Sequence, residues 1–303
     1  MSAEALQNPI SGGVRSFCPN IHVPMRFIRK MRGGSQSLLI ECTDGCLLVV
    51  KMYGNPQGPN VLANEFLGTH IAYSAGLPVS QGTTVYLSDR FIDLHPDLWF
   101  EGSDGHRWRP ESGVHFGSFF IGKPDGVFRP IEYISRSRIS FIVNRASFVG
   151  MYLFDVWANH QDSRQALLLN CGDGGCKSTA YFIDHGHMFG GPRWEFSNRP
   201  NRSLHLERSV YTDLLDANQI TSWLSRLKEA LPESVSEAIS LLPNHWYTGN
   251  CAELHNTLLH RLANIEELLE MEEVAFGRTI VRDNVYDNVQ IPCLGIHTLG
   301  AAL

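Results

Sequence analysis

The sequence predicts an α+β protein of two lobes, an antiparallel sheet with one packed helix followed by a mostly helical half. Between Met25 and Lys51 apolar residues gather in three short runs parted by turn residues, whereas from Ile139 onward they recur at helical spacing over longer segments. Length agrees: 303 residues suffice for two lobes with a cleft between them, and a hydrophobic fraction of 43% is that of an ordinary globular chain. The expected division is a first lobe over 20–125, a second over 126–276 and a loose tail over 277–303.

In the first lobe, strands are expected over Arg26–Lys30, Leu38–Cys42 and Cys46–Met52. The turn between the first two, Arg32-Gly33-Gly34-Ser35-Gln36-Ser37, carries backbone N–H groups that no side chain screens from a phosphate oxygen. The same composition also makes an ordinary hairpin turn. Lys51 closes the run Leu47-Leu48-Val49-Val50, which reads as buried on both faces, so its ammonium needs an anion. Pro56-Gln57-Gly58-Pro59 breaks the chain before a helix over Val61–Ala75 that Gly76 terminates. Glu65, near the middle of that helix, is either the partner of Lys51 or a solvated helix glutamate. A strand over Gln81–Leu87, a loop-rich surface insertion over 88–113 and a short apolar run over Val114–Ile121 complete the lobe.

In the second lobe, Ile139–Trp157 reads as one long apolar helix that empties into the polar stretch Ala158-Asn159-His160-Gln161-Asp162-Ser163-Arg164-Gln165. Two strands, Ala166–Asn170 and Thr179–Ile183, follow around a glycine-rich turn, and Asp184-His185-Gly186-His187 comes next. A hydroxyl attacking a phosphoryl group needs a carboxylate to orient it and take its proton, and a magnesium ion needs oxygen ligands; Asp162, Gln165 and Asp184 supply such oxygens. Arg164 has two readings, a phosphate contact or a bridge to a nearby carboxylate. Asp155, inside the helix pattern, reads as a buried structural group, Asn159 as a loop-positioning one, and His185 and His187 as turn histidines. Trp194 and Phe196 read as core. Helices are expected over Leu214–Ala217, Ile220–Leu231, Ser234–Leu242 and Ala252–Met271, the last with a solvated acidic face.

A net charge of −6 and the lack of a basic block exclude nucleic acid as the main partner. No run approaches the roughly 18 apolar residues of a membrane helix, and Met1–Pro9 has no leader pattern; a cytoplasmic protein without membrane contact is the expectation. Seven cysteines, an odd number in a chain too large to need staples, are expected as free thiols. Cys42 and Cys46 flank one hairpin turn and Cys171 and Cys176 another; with no CxxC or HxxxH nearby, the turn reading is preferred to a metal site at either pair.

The order Lys51, Glu65, Asp162, Gln165, Asp184 is that in which a protein-kinase-like fold presents its phosphate-binding lysine, the lysine's partner, a catalytic loop and a metal-binding aspartate. Met31-Arg32-Gly33-Gly34-Ser35-Gln36, Val49-Val50-Lys51, Asn55-Pro56-Gln57-Gly58, Leu62-Ala63-Asn64-Glu65 and Gly76-Leu77-Pro78-Val79 resemble motifs of the bacterial HipA-like kinases. So do His115-Phe116-Gly117-Ser118, Asp155-Val156-Trp157, Asp162-Ser163-Arg164-Gln165-Ala166 and Phe182-Ile183-Asp184-His185-Gly186, and the resemblance extends over about Pro24–Leu269.

The resemblance implies a two-lobed protein-kinase-like fold that binds ATP and Mg2+ in its cleft. Gly33, Gly34, Ser35 and Gln36 would line the phosphates, Lys51 would hold them, Glu65 would pair with Lys51, Asp162 would be the catalytic aspartate with Arg164 beside it, and Asp184 would bind the metal. Protein kinases place an asparagine five positions after the catalytic aspartate. Leu167 stands there in this chain, so Gln165 is the expected second ligand. The implied activity is transfer of the γ-phosphoryl of ATP to a Ser or Thr hydroxyl of a protein. The alternatives are a small-molecule kinase and a nucleotide-binding pseudokinase. Ser35 and Ser37 are expected autophosphorylation sites, and an antitoxin-like partner is a further expectation attached to the family.

Overall fold

The computed structural model describes residues 21–122, 130–170, 177–197 and 204–271. The first lobe is a six-stranded sheet in the order β1-β5-β8-β4-β3-β2, built from β1 (Ile21–His22), β2 (Pro24–Lys30), β3 (Leu38–Cys42), β4 (Leu47–Lys51), β5 (Gly82–Leu87) and β8 (Gly113–Phe119). All neighbours are antiparallel except β1 and β5. Val23 alone separates β1 from β2, yet these are the two edge strands. One residue spans less than about 4 Å, so the sheet curls until its edges meet, which also removes the open edge that a flat sheet would expose.

The strands alternate as a half-covered sheet requires. In β4, Leu48 and Val50 are fully buried in a cluster with Leu38, Ile40, Val85 and Leu87. Leu47, Val49 and Lys51 occupy the other, half-buried face, so the run is not buried on both faces as its composition predicts. Residues 88–113 form α2 (Asp89–Asp93), a 3-10 turn over Pro96–Leu98 and the ribbon of β6 (Phe100–Glu101) and β7 (Arg107–Trp108). They are not a surface insertion: Ile92, Leu98 and Phe100 are fully buried in the same cluster as β3 and β4. Their spacing is too short and irregular to show either period, which is why composition alone reads them as loop.

Helix α1 (Val61–Ser74) is buried from Val61 to Ala72, packed between the sheet and the second lobe. It ends as expected, with Gly76 in the left-handed region at φ 75°. The second lobe contains α3 (Ser147–Ala158), the hairpin β9 (Gln165–Asn170) and β10 (Ser178–Ile183), α4 (Ala217–Leu241), α5 (Cys251–Ala263) and a further helical stretch over 265–271. The predicted helix over Ile139–Trp157 is shorter than its apolar pattern. Arg136–Phe141 is a 3-10 turn, Val143 N–H donates to the Ser178 carbonyl at 2.9 Å, and the Asn144 amide accepts from and donates to the backbone of Ala180. Pairing to β10 thus overrides helix periodicity up to Ala146.

Conversely, the predicted break between Leu231 and Ser234 does not occur. Pro232 is on the exposed face of α4, where the carbonyl its missing N–H would have bonded can be hydrated. The helix predicted over Ala252–Met271 is interrupted at Asn264, whose side chain donates to the His260 carbonyl at 2.8 Å. The turn with Cys171 and Cys176 and the tail over 277–303 lie outside the described residues. No helix among the described residues is long and apolar enough to cross a membrane.

Candidate active site

The edge of β4, the middle of α1 and the end of β10 converge on one ion network. Lys51 Nζ donates to Glu65 Oε1 and, at 2.9 Å, to Asp184 Oδ1, although Asp184 is 133 positions away in the chain. Gln165, which opposes Ile183 across the β9–β10 ladder, donates from Nε2 to the other Asp184 oxygen at 2.8 Å. Burial disfavours the Lys51 ammonium, but the Glu65 and Asp184 carboxylates outweigh it and hold its pKa above that of an ordinary lysine. The adjacent Lys51 charge, stronger than the opposing effect of burial, keeps the Asp184 carboxyl well below the usual carboxylate range. Burial pushes Glu65 upward against the pull of Lys51. The network therefore has one fixed cation, one carboxylate ionised at all physiological pH, and oxygen donors of the hard kind that suit Mg2+.

Asp184 has φ of 67°, a left-handed conformation that aspartate tolerates better than most residues. This bend turns its carboxylate to Lys51 while its carbonyl accepts from Arg164 Nη1 at 3.0 Å. Arg164 is 2% exposed. Its Nε donates to Asp155 Oδ2 at 2.8 Å, its Nη2 to Asp155 Oδ1, and its Nη1 also to the Ile183 carbonyl at 2.8 Å. Arg164, expected beside the catalytic aspartate, thus engages a buried carboxylate and the backbone that orients Asp184. Burial raises Asp155 to about 6 against the pull of Arg164. Desolvation, with Arg164 adding to it, holds buried His160 and His185 neutral.

Asp162 is exposed in the loop between α3 and β9, and its Oδ1 accepts from Ser163 N–H at 2.7 Å. Among the described residues it bonds the Ser163 backbone and not the Lys51 network. The loop is anchored on both sides of it. Asn159 ends α3 in the left-handed region at φ 53°, bonds the Ser197 backbone, and accepts from Gln161 Nε2 at 2.7 Å; Gly190 N–H donates to the Asn159 carbonyl at 3.1 Å. Leu167 lies in β9, two positions beyond Gln165.

In the glycine-rich turn, Gly33 has φ of 121°, a region open to glycine. Gly34 lies so close to Gln57 that a Cβ would stand 3.1 Å from its Nε2. The Ser35 and Ser37 hydroxyls are buried and bond each other at 2.9 Å. The Gln36 side chain donates to the Glu101 carbonyl at 2.6 Å and accepts from Glu101 N–H at 3.1 Å, pinning the turn to β6.

Two contributors were not assigned from sequence. Asn64, fully buried beside Glu65, donates to the carbonyls of Gly186 and Met188 at 2.9 Å and Gly191 at 3.1 Å, and accepts from Trp194 Nε1 at 2.7 Å. It ties α1 to the segment following Asp184. Gly186 and Gly68 permit this approach: a Cβ on Gly186 would stand 3.0 Å from Glu65 Oε1, and one on Gly68 would meet His185 Cβ at 2.7 Å. The signal available in the sequence was a polar residue inside an otherwise apolar helix. Gln57 is the second: its Nε2 lies 3.4 Å from His187 Nε2, and its buried Oε1 makes no hydrogen bond.

The HipA-like kinase family model matches residues 25–280. Among solved structures, the fold is similar to that of the Helicobacter pylori proinflammatory kinase CtkA, at 12% identity and a TM-score of 0.53, over 80% of this chain and 94% of that one. It is also similar to the Golgi casein kinase with Mn/ADP bound, at 12% identity and a TM-score of 0.48, over 84% of this chain and 74% of that one. No curated protein sequence matches the chain. With a two-lobed architecture, a lysine held by a helix glutamate and an aspartate after the C-lobe hairpin, and a family match over most of its length, the chain belongs to the HipA-like kinases.

Proposed function

We propose that the protein transfers the γ-phosphoryl group of ATP to a Ser or Thr hydroxyl of a protein substrate, with Mg2+ as the metal. The observation that carries this reading is the joined network of Lys51, Glu65, Asp184 and Gln165, because its parts have no common structural purpose at such sequence separations. Lys51, oriented by Glu65, is placed to neutralise phosphate oxygens. Asp184 and Gln165 are the groups that would hold Mg2+, which when bound offsets the charge of the phosphates. With Leu167 unable to ligate, the Gln165 amide is the available second oxygen donor. Gly33 and Gly34 leave backbone N–H groups for the phosphates.

Asp162 is the group assigned to orient the acceptor hydroxyl and take its proton. It is exposed at the loop, where a protein side chain can reach it, and its carboxylate retains one oxygen beyond that bonded to Ser163. Arg164 acts one step back, holding the Asp184 backbone in place.

The test is incubation of purified protein with ATP, Mg2+ and cell extract, followed by mass spectrometry of peptides and of small molecules, for the wild type and Asp162→Asn. Phosphopeptides that disappear in the variant while ATP binding persists are the expected result. A phosphorylated metabolite without phosphopeptides moves the acceptor to the small-molecule class. ATP that binds and is never consumed makes the chain a nucleotide-binding pseudokinase.

A further inference from the structure

Away from the cleft, the seam where the curled sheet closes brings together His22, Cys42 and Asp44, whose ligand atoms all lie within 4.8 Å of one another. Each comes from a different part of the seam. His22 ends β1, Cys42 ends β3, and Asp44 occupies the turn between β3 and β4. Backbone bonds fix the geometry: Thr43 N–H donates to the Val23 carbonyl at 2.9 Å, and Cys42 N–H to the Cys46 carbonyl at 2.8 Å. The His22 ring nitrogen Nδ1 is 2.6 Å from Asp44 Oδ2, and the Cys46 N–H donates to Asp44 Oδ1 at 3.0 Å. His22 and Cys42 are buried and Asp44 is open to solvent, so the cluster has a shielded floor and an entry path.

We propose that this cluster is a zinc site in which His22, Cys42 and Asp44 are ligands and the Cys46 side chain, which lies outside that 4.8 Å group, turns in as the fourth. Mixed nitrogen, sulfur and carboxylate donors of this kind favour Zn2+ over the hard cations suited to Asp184. The sequence alone shows Cys42, Asp44 and Cys46 on one turn without a histidine nearby; the curl of the sheet supplies His22, twenty positions upstream of Cys42 and on what is formally the opposite edge. Four protein ligands would leave no open position, so the site is structural: it would fasten β1 to the β3–β4 hairpin at the point where only Val23 closes the sheet.

The experiment uses the full chain, stripped with a chelator and then titrated with Zn2+ alone and, separately, with Co2+ alone. The expected results are one tightly held zinc per chain and a thiolate-to-cobalt charge-transfer band. Asp44→Asn and Cys46→Ser, both at the solvent side of the cluster, should fold and weaken zinc binding at least as much as the roughly ten- to hundredfold that loss of outer-shell partners causes. Cys251→Ser, at a free thiol outside the cluster, should leave it unchanged. No zinc retained by the folded wild type overturns the proposal, as does zinc whose affinity is the same in Asp44→Asn and Cys46→Ser, or an intact mass showing a Cys42–Cys46 disulfide in the purified chain.

Discussion

Replacing Arg164 with alanine separates its structural role from a catalytic one. The substitution leaves the Asp155 carboxyl at 0% exposure without its bidentate partner and removes the donors to the Ile183 and Asp184 carbonyls. Breaking a buried ion pair by deleting one partner costs about 3–5 kcal/mol. At roughly 2–4 °C per kcal/mol for a chain somewhat smaller than this one, that is a fall in Tm of roughly 6–20 °C. Denaturant unfolding of the wild type, Arg164→Ala, Asp155→Ala and the double variant measures the coupling. The double variant should be no less stable than Arg164→Ala alone, because the stranded carboxyl is then gone. Arg164→Ala that unfolds within about 1 kcal/mol of the wild type, yet no longer transfers phosphate, would refute this reasoning and return Arg164 to the phosphates.

Three further outcomes follow from the geometry. Asn64→Ala leaves three buried carbonyls and the Trp194 indole N–H without this partner, so at about 1 kcal/mol for each bond it should lose roughly 4 kcal/mol in urea unfolding and weaken ATP binding by loosening Glu65; unchanged stability would mean that the segment after Asp184 does not depend on α1. His115 accepts from Tyr53 N–H at Nδ1, bonds the Glu111 carbonyl through Nε2, and is lowered by burial to about 4. The unfolded chain, with an ordinary histidine pKa near 6.5, then binds the extra proton, so stability should fall as pH drops from about 6.5 to about 4, by up to about 3 kcal/mol from this residue; His115→Gln should flatten that slope, and an equal slope in the variant would contradict the assignment. Gln165→Leu removes the amide beside Asp184 and should raise the Mg2+ concentration needed for half-maximal transfer by about tenfold, equivalent to about 1.4 kcal/mol, with ATP binding in the absence of metal unaltered.

The strands and helix of the first lobe were legible because each has the period of its kind and ends at glycine or proline. Lys51, Glu65 and Asp184 were legible only as an ordered set, since each alone is an ordinary charged residue. What escaped was decided by contacts between distant segments. Residues 142–144 fall within the apolar spacing of α3 but pair with β10. The stretch 88–113 buries Ile92, Leu98 and Phe100 in elements too short to show a period. Arg164 had two readings in sequence, and its contact with Asp155 of α3, across the loop between α3 and β9, favours the carboxylate bridge. Gln36 has the composition of a phosphate loop but finds the Glu101 backbone first. Asn64 stood inside a recognised motif without a role because its four partners lie more than 120 positions away.

The most direct test of the account is the fate of γ-labelled ATP with the purified protein and Mg2+, in cell extract, beside Asp184→Asn. The substitution preserves the shape of the residue and removes the charge that Lys51 and the metal share. The account predicts label on protein with the wild type and none with Asp184→Asn, while the variant remains folded. Equal labelling by both proteins would contradict it, because transfer would then not depend on the carboxylate at which the two lobes meet.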